Sequence, residues 1–277
     1  MGLDLCWNNL FHRMTQRDIK FLLQGVLKIA PTPAYLSTLG YLPGRPKCGL
    51  CGAFGGSFLH IESCCPVALD QGRYTWRHNE DLRVFHHAVG VKVRSMTGKK
   101  VKKVAPKASN AFVKAGDAPP KKKAGREPSI LETASDWRIM VDLPGLTYTF
   151  PAHIAVTAER PDLIMWSEAL KLIVLVELTV PSERNVQNAH KKKTEKYGKA
   201  GGLCDEIRAR GWRVELMCVE VGTLGFVADA TRAMMKRLGI WTKDLHFLLS
   251  QTALRCSYVI FVQRNTLSWT PWRMYRQ

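Results

Sequence analysis

Two acids and two lysines between Arg160 and Tyr197 have the types and spacing for phosphodiester chemistry. The stretch opens Arg160-Pro161-Asp162 and continues with an apolar run from Leu163 to Trp166. A polar turn, Glu168-Ala169-Leu170-Lys171, leads to a second apolar run, Leu172 to Val180, broken only by Glu177 and Thr179. Two β-rich runs joined by so few residues predict an antiparallel hairpin. With the turn centred between Ala169 and Leu170, Ser167 faces Leu172, and counting outward sets Asp162 opposite Glu177. Opposed residues share a face, with Cβ atoms roughly 5 Å apart. Two carboxylates that close among apolar neighbours repel, so either one is protonated or a cation sits between them. In the catalytic version the cation is a hard divalent ion such as Mg²⁺, which takes carboxylate oxygens and activates water.

The helix expected after Pro181 and Ser182 must bring the lysines. Val186, Ala189, Lys193, Lys196, Ala200, Leu203 and Ile207 step by three and four, which is one helical stripe. All are apolar or small except Lys193 and Lys196, while Lys191 and Lys192 fall off the stripe. A buried-face lysine packed against a strand with two acids can pair with them, orient water, or stabilise charge developing at phosphorus. Gly198, Gly201 and Gly202 weaken this helix by about 1 kcal/mol each relative to Ala.

A second constellation is Cys48-x2-Cys51-x8-His60-x4-Cys65, with Gly52, Gly55 and Gly56 letting the loop fold back. Two thiolates two residues apart chelate, and a His/Cys pair closes a tetrahedron, so the pattern is that of a CCHC zinc site. Structural zinc contributes on the order of 10 kcal/mol to a segment too small to fold alone.

These residues carry a resemblance. Pro161-Asp162 followed by Glu177-x-Thr179 is similar to the PD-(D/E)xK restriction-like nuclease core, except that Thr179 stands where that core usually has its lysine. Lys193-x-x-Lys196-Tyr197 resembles the displaced lysine of the restriction-like endonuclease in site-specific non-LTR retrotransposon polyproteins. The likeness extends to Val219-Glu220-Val221-Gly222-x-x-Gly225-Phe226 and, upstream, to the zinc knuckle of the reverse-transcriptase carboxy-terminal region. There Cys-Pro follows His-Ile, which selects Cys65, before Pro66, over Cys64.

The resemblance implies an α/β fold, a restriction-endonuclease-like mixed sheet flanked by helices and preceded by a small helical zinc-knuckle region. It implies Mg²⁺ on Asp162 and Glu177, a transition state stabilised by Lys196 or Lys193, and a nick in a DNA target that primes reverse transcription. Element RNA is a further expected partner. Such cores often add an acid from the first helix, here Glu132 or Asp136, and Arg160 is a candidate phosphate ligand. No Tyr-x-Asp-Asp or comparable aspartate pair occurs, so this chain does not polymerise by itself. The alternative is a catalytically inactive nucleic-acid-binding zinc protein derived from such an element.

The positioning elements are read in order. Residues 1–47 are expected to be helical, with Thr15 capping a helix whose apolar face runs from Ile19 to Ile29 and Pro31-Thr32-Pro33 stopping it. Residues 48–91 hold the knuckle and a helix striped by Tyr74, His78, Leu82, Phe85 and Val89. Residues 92–127, rich in Lys, Ala, Pro and Gly, read as a disordered basic linker whose clusters Lys99–Lys103 and Lys121–Lys123 suit nuclear import or phosphate contact. The nuclease domain spans 128–241. It includes a short helix at Ile130–Ala134, a strand at Trp137–Val141 with Leu146–Phe150 as its partner, and a lysine helix to about Arg210. A parallel strand at Trp212–Val221 and a covering helix from Phe226 to Leu238 complete it. A helix from Thr242 to Gln263 and an arm with Trp269, Trp272, Arg273 and Arg276 end the chain.

Composition agrees with a polyanionic partner: 41 Lys and Arg against 23 Asp and Glu give a net charge of +18, with a pI near 9.8. With 46% hydrophobic residues a packed core is within reach. The sequence leads us to expect no apolar run near the roughly 20 residues of a membrane span, and the amino terminus does not look like a signal peptide. Eight cysteines without such a signal suit reduced thiols in an intracellular, nuclear protein.

Overall fold

Both apolar runs of the hairpin become strands, and a sheet grows outward from them. The computed structural model describes residues 3–4, 12–98 and 127–271. In chain order the elements are β1 (Leu3–Asp4), α1 (Gln16–Val26), α2 (Pro33–Thr38), α3 (Pro66–Asp70), α4 (Arg73–Met96), β2 (Arg138–Val141), β3 (Leu163–Ser167) and β4 (Leu172–Thr179). There follow α5 (Val186–Gly198), α6 (Leu203–Ala209), β5 (Arg213–Glu220), β6 (Val227–Ala228), α7 (Asp229–Leu238) and α8 (Lys243–Val262).

The main sheet has the order β2-β3-β4-β5, and it is mixed. β2, β3 and β4 pair antiparallel, whereas β4 and β5 are parallel and joined through α5 and α6. A parallel pair needs such a crossover, because a tight turn can only return the chain antiparallel. The hairpin register runs from Ser167 opposite Leu172 to Leu163 opposite Val176, as the residue count predicts.

Side-chain alternation divides the strands between two cores. Leu163, Met165, Val174 and Val176 face α4, α7 and α8, packing with Leu82, Phe85, Met235 and Leu249. Ile164, Trp166, Ile173 and Leu175 face α5 and α6, packing with Tyr197, Leu203, Ile207 and Trp212. Full burial of one such aliphatic side chain contributes about 1.5–3 kcal/mol, so slipping the hairpin by one residue would exchange both cores. A third cluster joins Phe21 and Leu22 of α1 to Phe247, Leu254 and Phe261 of α8 and to Ile61 of the knuckle. Buried residues of α4 and α8 belong to the same core as the sheet, so packing runs continuously across the boundaries at 91 and 241.

Several expectations need correction. Leu146–Phe150 forms no strand, and among the described residues β2 pairs with β3 alone, as the outer strand of the sheet. That segment instead turns Tyr148 inward, its hydroxyl donating to the Pro161 carbonyl at 2.7 Å. The lysine helix is two helices. Lys199 is extended, Gly201 is left-handed, and a Cβ at Gly202 would lie 2.9 Å from the Lys199 carbonyl oxygen. Helix α4 continues to Met96, beyond the linker boundary set from composition, since Val93 is still buried against the core. The covering helix starts at Asp229, and the two residues before it pair antiparallel with β1, a strand in a region expected to be helical. Helix α8 is 20 residues long and apolar enough, by length and composition, to cross a membrane, contrary to the expectation of no such run. In this fold 78% of its apolar window is buried against protein. Trp269 of the terminal arm packs edge-on against Trp76 and lies under the Arg73 guanidinium. The two lysine clusters of the linker, and Trp272, Arg273 and Arg276, lie outside the described residues.

Candidate active site and metal centre

Asp162 immediately precedes β3, and Glu177 is the sixth residue of β4. They are the next residues beyond the last strand pair, Leu163 opposite Val176; Glu177 shares the α5 face with Leu175, whereas the Asp162 carboxylate reaches the Leu178 amide and His78 of α4. Glu177 is 1% exposed and Asp162 18%. The cation that such a pair demands is supplied by the chain itself. The Lys193 ammonium, one turn into α5 from Ala189, donates to Glu177 Oε2. Burial disfavours the charged amine, but Glu177 and then Asp162 outweigh it and hold the Lys193 pKa above its ordinary value.

Asp162 has its own partners. Its Oδ2 accepts from the Leu178 amide at 2.7 Å and lies 3.3 Å from His78 Nε2. Burial raises its pKa, yet the hydrogen bond and charge of His78, with Lys193 and the Leu178 amide, more than offset this and keep it below the usual carboxylate range. His78 responds in the opposite sense: burial lowers it, but the hydrogen bond and charge of Asp162, with Asn79, together outweigh this and the net is upward. Its Nε2 also faces the Leu178 carbonyl at 3.1 Å, and its Nδ1 faces Asn79 Oδ1 at 3.1 Å. Acceptors on both ring nitrogens suit the doubly protonated imidazolium.

The other candidates separate. Lys196 is exposed, with its ammonium donating to the Tyr197 hydroxyl at 2.6 Å and lying over that ring. Tyr197 itself is buried, and burial together with the Glu177 carboxylate pushes its phenol far upward. Thr179 lies two residues beyond Glu177 on the same strand, and its hydroxyl is buried without a hydrogen bond among the described residues. Arg160 is half exposed and lies 3.7 Å from Asp142 rather than beside the acids. Neither proposed third acid joins the pair. Glu132 caps the turn at Ser129 and pairs with Lys92, and Asp136 accepts from Ser167 Oγ and the Ala169 amide, pinning the far end of the hairpin.

Sequence reasoning missed three neighbours. His78 sat in an apolar helical stripe and was read as packing. His190, three residues before Lys193, carried no motif, and Glu220 fell inside a segment quoted only for its likeness. The step of three from His190 to Lys193 was the signal that could have found it.

The metal centre is built as its spacing predicts. Cys48, Cys51, His60 and Cys65 offer donor atoms that all lie within 4.8 Å of one another, a set that can hold zinc. Cys51 Sγ and His60 Nε2 are 3.3 Å apart. An antiparallel bridge between Lys47 and Phe54 closes the first loop, and a π-helical turn, His60–Cys64, carries the second pair. Cys65 is buried and Cys64 exposed, in keeping with Cys65 as the ligand. The Cys65 amide donates to the Tyr74 hydroxyl at 3.1 Å, and that hydroxyl donates to the Ile61 carbonyl at 2.8 Å, tying the centre to α4.

Arg77, on α4, is buried and pairs with Glu62, which burial pushes up to about 8. It links the knuckle to Ser257 of α8 and, through the Val180 carbonyl, to the end of β4. Compared with models of known protein families and with curated proteins, the chain matches none.

Proposed function

We propose that the chain is a DNA endonuclease module of the PD-(D/E)xK restriction-like kind, similar to the carboxy-terminal part of a non-LTR retrotransposon polyprotein and carrying a structural zinc knuckle. The observation that supports this is Glu177, paired with the Lys193 ammonium from α5, beside Asp162 at the end of the same β3–β4 hairpin. A four-stranded mixed sheet flanked by helices, its parallel pair joined through α5 and α6, supports an α/β fold of this general kind.

Asp162 and Glu177 are the residues that would hold Mg²⁺; their hard carboxylate oxygens suit it. When bound, the ion supplies an activated water and neutralises charge at the phosphodiester. The remaining steps belong to this chain. Lys193 stands over Glu177 and would stabilise the negative charge that builds on the phosphoryl oxygens. His78 holds Asp162 ionised and, with the Leu178 amide, fixes its orientation. Lys191, Lys192 and Lys196, exposed on the same helix, draw in the polyanionic backbone. Element RNA would engage the same basic surface, and the charge suits a nuclear location.

A second reading has an observation in its favour. Lys193 already pairs with Glu177 and His78 with Asp162, so each carboxylate has a partner from the chain itself, as a non-catalytic nucleic-acid-binding module would retain them. Plasmid nicking separates the two. The endonuclease nicks supercoiled DNA with Mg²⁺, and Asp162→Asn and Glu177→Gln lose nicking while keeping DNA affinity. No nicking by the intact chain, with affinity unchanged in both variants, leaves the binding module.

A further inference from the structure

Beside the acid pair lies a second set of donors with different chemistry. Cys218 and Glu220 are two residues apart on β5 and so project from the same face. Helix α5 lays His190 across them, and the three donor atoms all fall within 4.8 Å of one another. His190 Nδ1 is 2.7 Å from Glu220 Oε1. Glu220 is 1% exposed, and its other oxygen, Oε2, is buried with no hydrogen bond among the described residues. The Thr231 hydroxyl is committed to the Glu220 backbone, accepting from its amide at 2.8 Å and donating to its carbonyl at 3.1 Å. A buried carboxylate oxygen without a partner is costly. An ion between the carboxylate, the thiol and the imidazole would remove that cost.

We propose that His190, Cys218 and Glu220 form a second metal site, for an ion of the Zn²⁺ class. The donor set decides the ion. A thiolate with an imidazole suits Zn²⁺ and its borderline-soft neighbours, whereas Mg²⁺ takes oxygen alone. Three protein ligands leave the fourth tetrahedral position to solvent or to a phosphate oxygen.

The site does not depend on the endonuclease reading, but its place gives it a consequence there. Cys218 is the pairing partner of Glu177 on the next strand, and His190 precedes Lys193 by three residues. An ion held here ties α5 to β5 and steadies the helix that presents Lys193 to Glu177.

Metal content measured on the full chain tests this. The protein is equilibrated with Zn²⁺, freed of excess by gel filtration, and analysed by mass spectrometry for zinc per chain. His190→Ala and Cys218→Ser are each expected to hold one equivalent fewer than the wild type, whatever the knuckle retains. Loading with Co²⁺ gives a second readout, since Cys218→Ser should weaken the thiolate-to-cobalt charge-transfer band. Equal zinc content in the wild type and in His190→Ala overturns the proposal and leaves a His190–Glu220 ion pair beside a buried thiol. About a third of the His190 side chain is exposed, so that variant should fold even if Cys218→Ser does not. Nicking is not part of the readout, so the outcome is independent of whether the chain cuts DNA.

Discussion

Replacing Lys193 by Met tests the arrangement at its centre. The substitution keeps most of the stem and removes the ammonium from Glu177, whose side chain is 1% exposed. Removing one partner of a fully buried pair costs about 3–5 kcal/mol, because the other charge is left unpaired. Lys193 is itself 31% exposed, so solvent already screens the pair and the expectation falls to about 2 kcal/mol. In a chain of this length about 2 °C of melting temperature accompanies each kcal/mol, so Lys193→Met should melt about 4 °C below the wild type. Lys196→Met is the control. It removes only an exposed cation–π contact and one hydrogen bond to Tyr197, and should cost about 0.5–1 kcal/mol. The double variant Lys193→Met/Glu177→Gln should melt above Lys193→Met, since no charge is then left buried. Differential scanning calorimetry near neutral pH reads all four proteins. Equal shifts for the two lysine variants, or a double variant less stable than Lys193→Met, would refute the claim that Lys193 is the cation of the acid pair.

Three further outcomes follow from the same geometry. The His78–Asp162 pair gives stability a pH window. His78 has its pKa raised above 6.5, so its contribution is complete below that value and lost as pH rises through the raised one; Asp162, lowered from 3.8, contributes above 3.8 and loses its share as pH falls through the depressed value. Melting temperature followed from pH 5 to 9 should therefore fall on the alkaline side in the wild type, and His78→Gln should flatten that limb. At the Cys48, Cys51, His60, Cys65 cluster, Cys65→Ser should cost about 4 kcal/mol or more and abolish the stabilising effect of added zinc, whereas Cys64→Ser, at an exposed thiol, should stay within about 0.5 kcal/mol; similar losses would make the ligand assignment wrong. Gly225→Ala meets two obstacles, a φ of +86° and a Cβ 2.5 Å from the Ser250 carbonyl oxygen, so the urea midpoint should drop by the equivalent of about 3 kcal/mol with an unchanged denaturant slope.

Local chemistry carried a large part of this protein in the sequence. The short turn between two apolar runs sets the hairpin register: centred between Ala169 and Leu170, it pairs Ser167 with Leu172, and the count runs outward from there. That register alone brings Asp162 opposite Glu177. Likewise the Cys48-x2-Cys51 spacing and the His60–Cys65 pair specify the metal centre, since chelation by near neighbours needs little from the rest of the chain. Thr15, read as a helix cap, does accept from the Asp18 amide at 3.2 Å.

What the sequence did not contain were contacts between residues far apart along it. His78 meets Asp162 across 84 positions only because α4 packs under the end of β4, and nothing in its own neighbourhood distinguishes it from a core residue. The choice between Lys193 and Lys196 turned on where α5 breaks at Gly198 and how it lies on β5, which sets one amine over Glu177 and leaves the other in solvent. Periodicity says which residues share a helix face. Only packing, which depends on the summed shape of every layer, says which of them reaches its target.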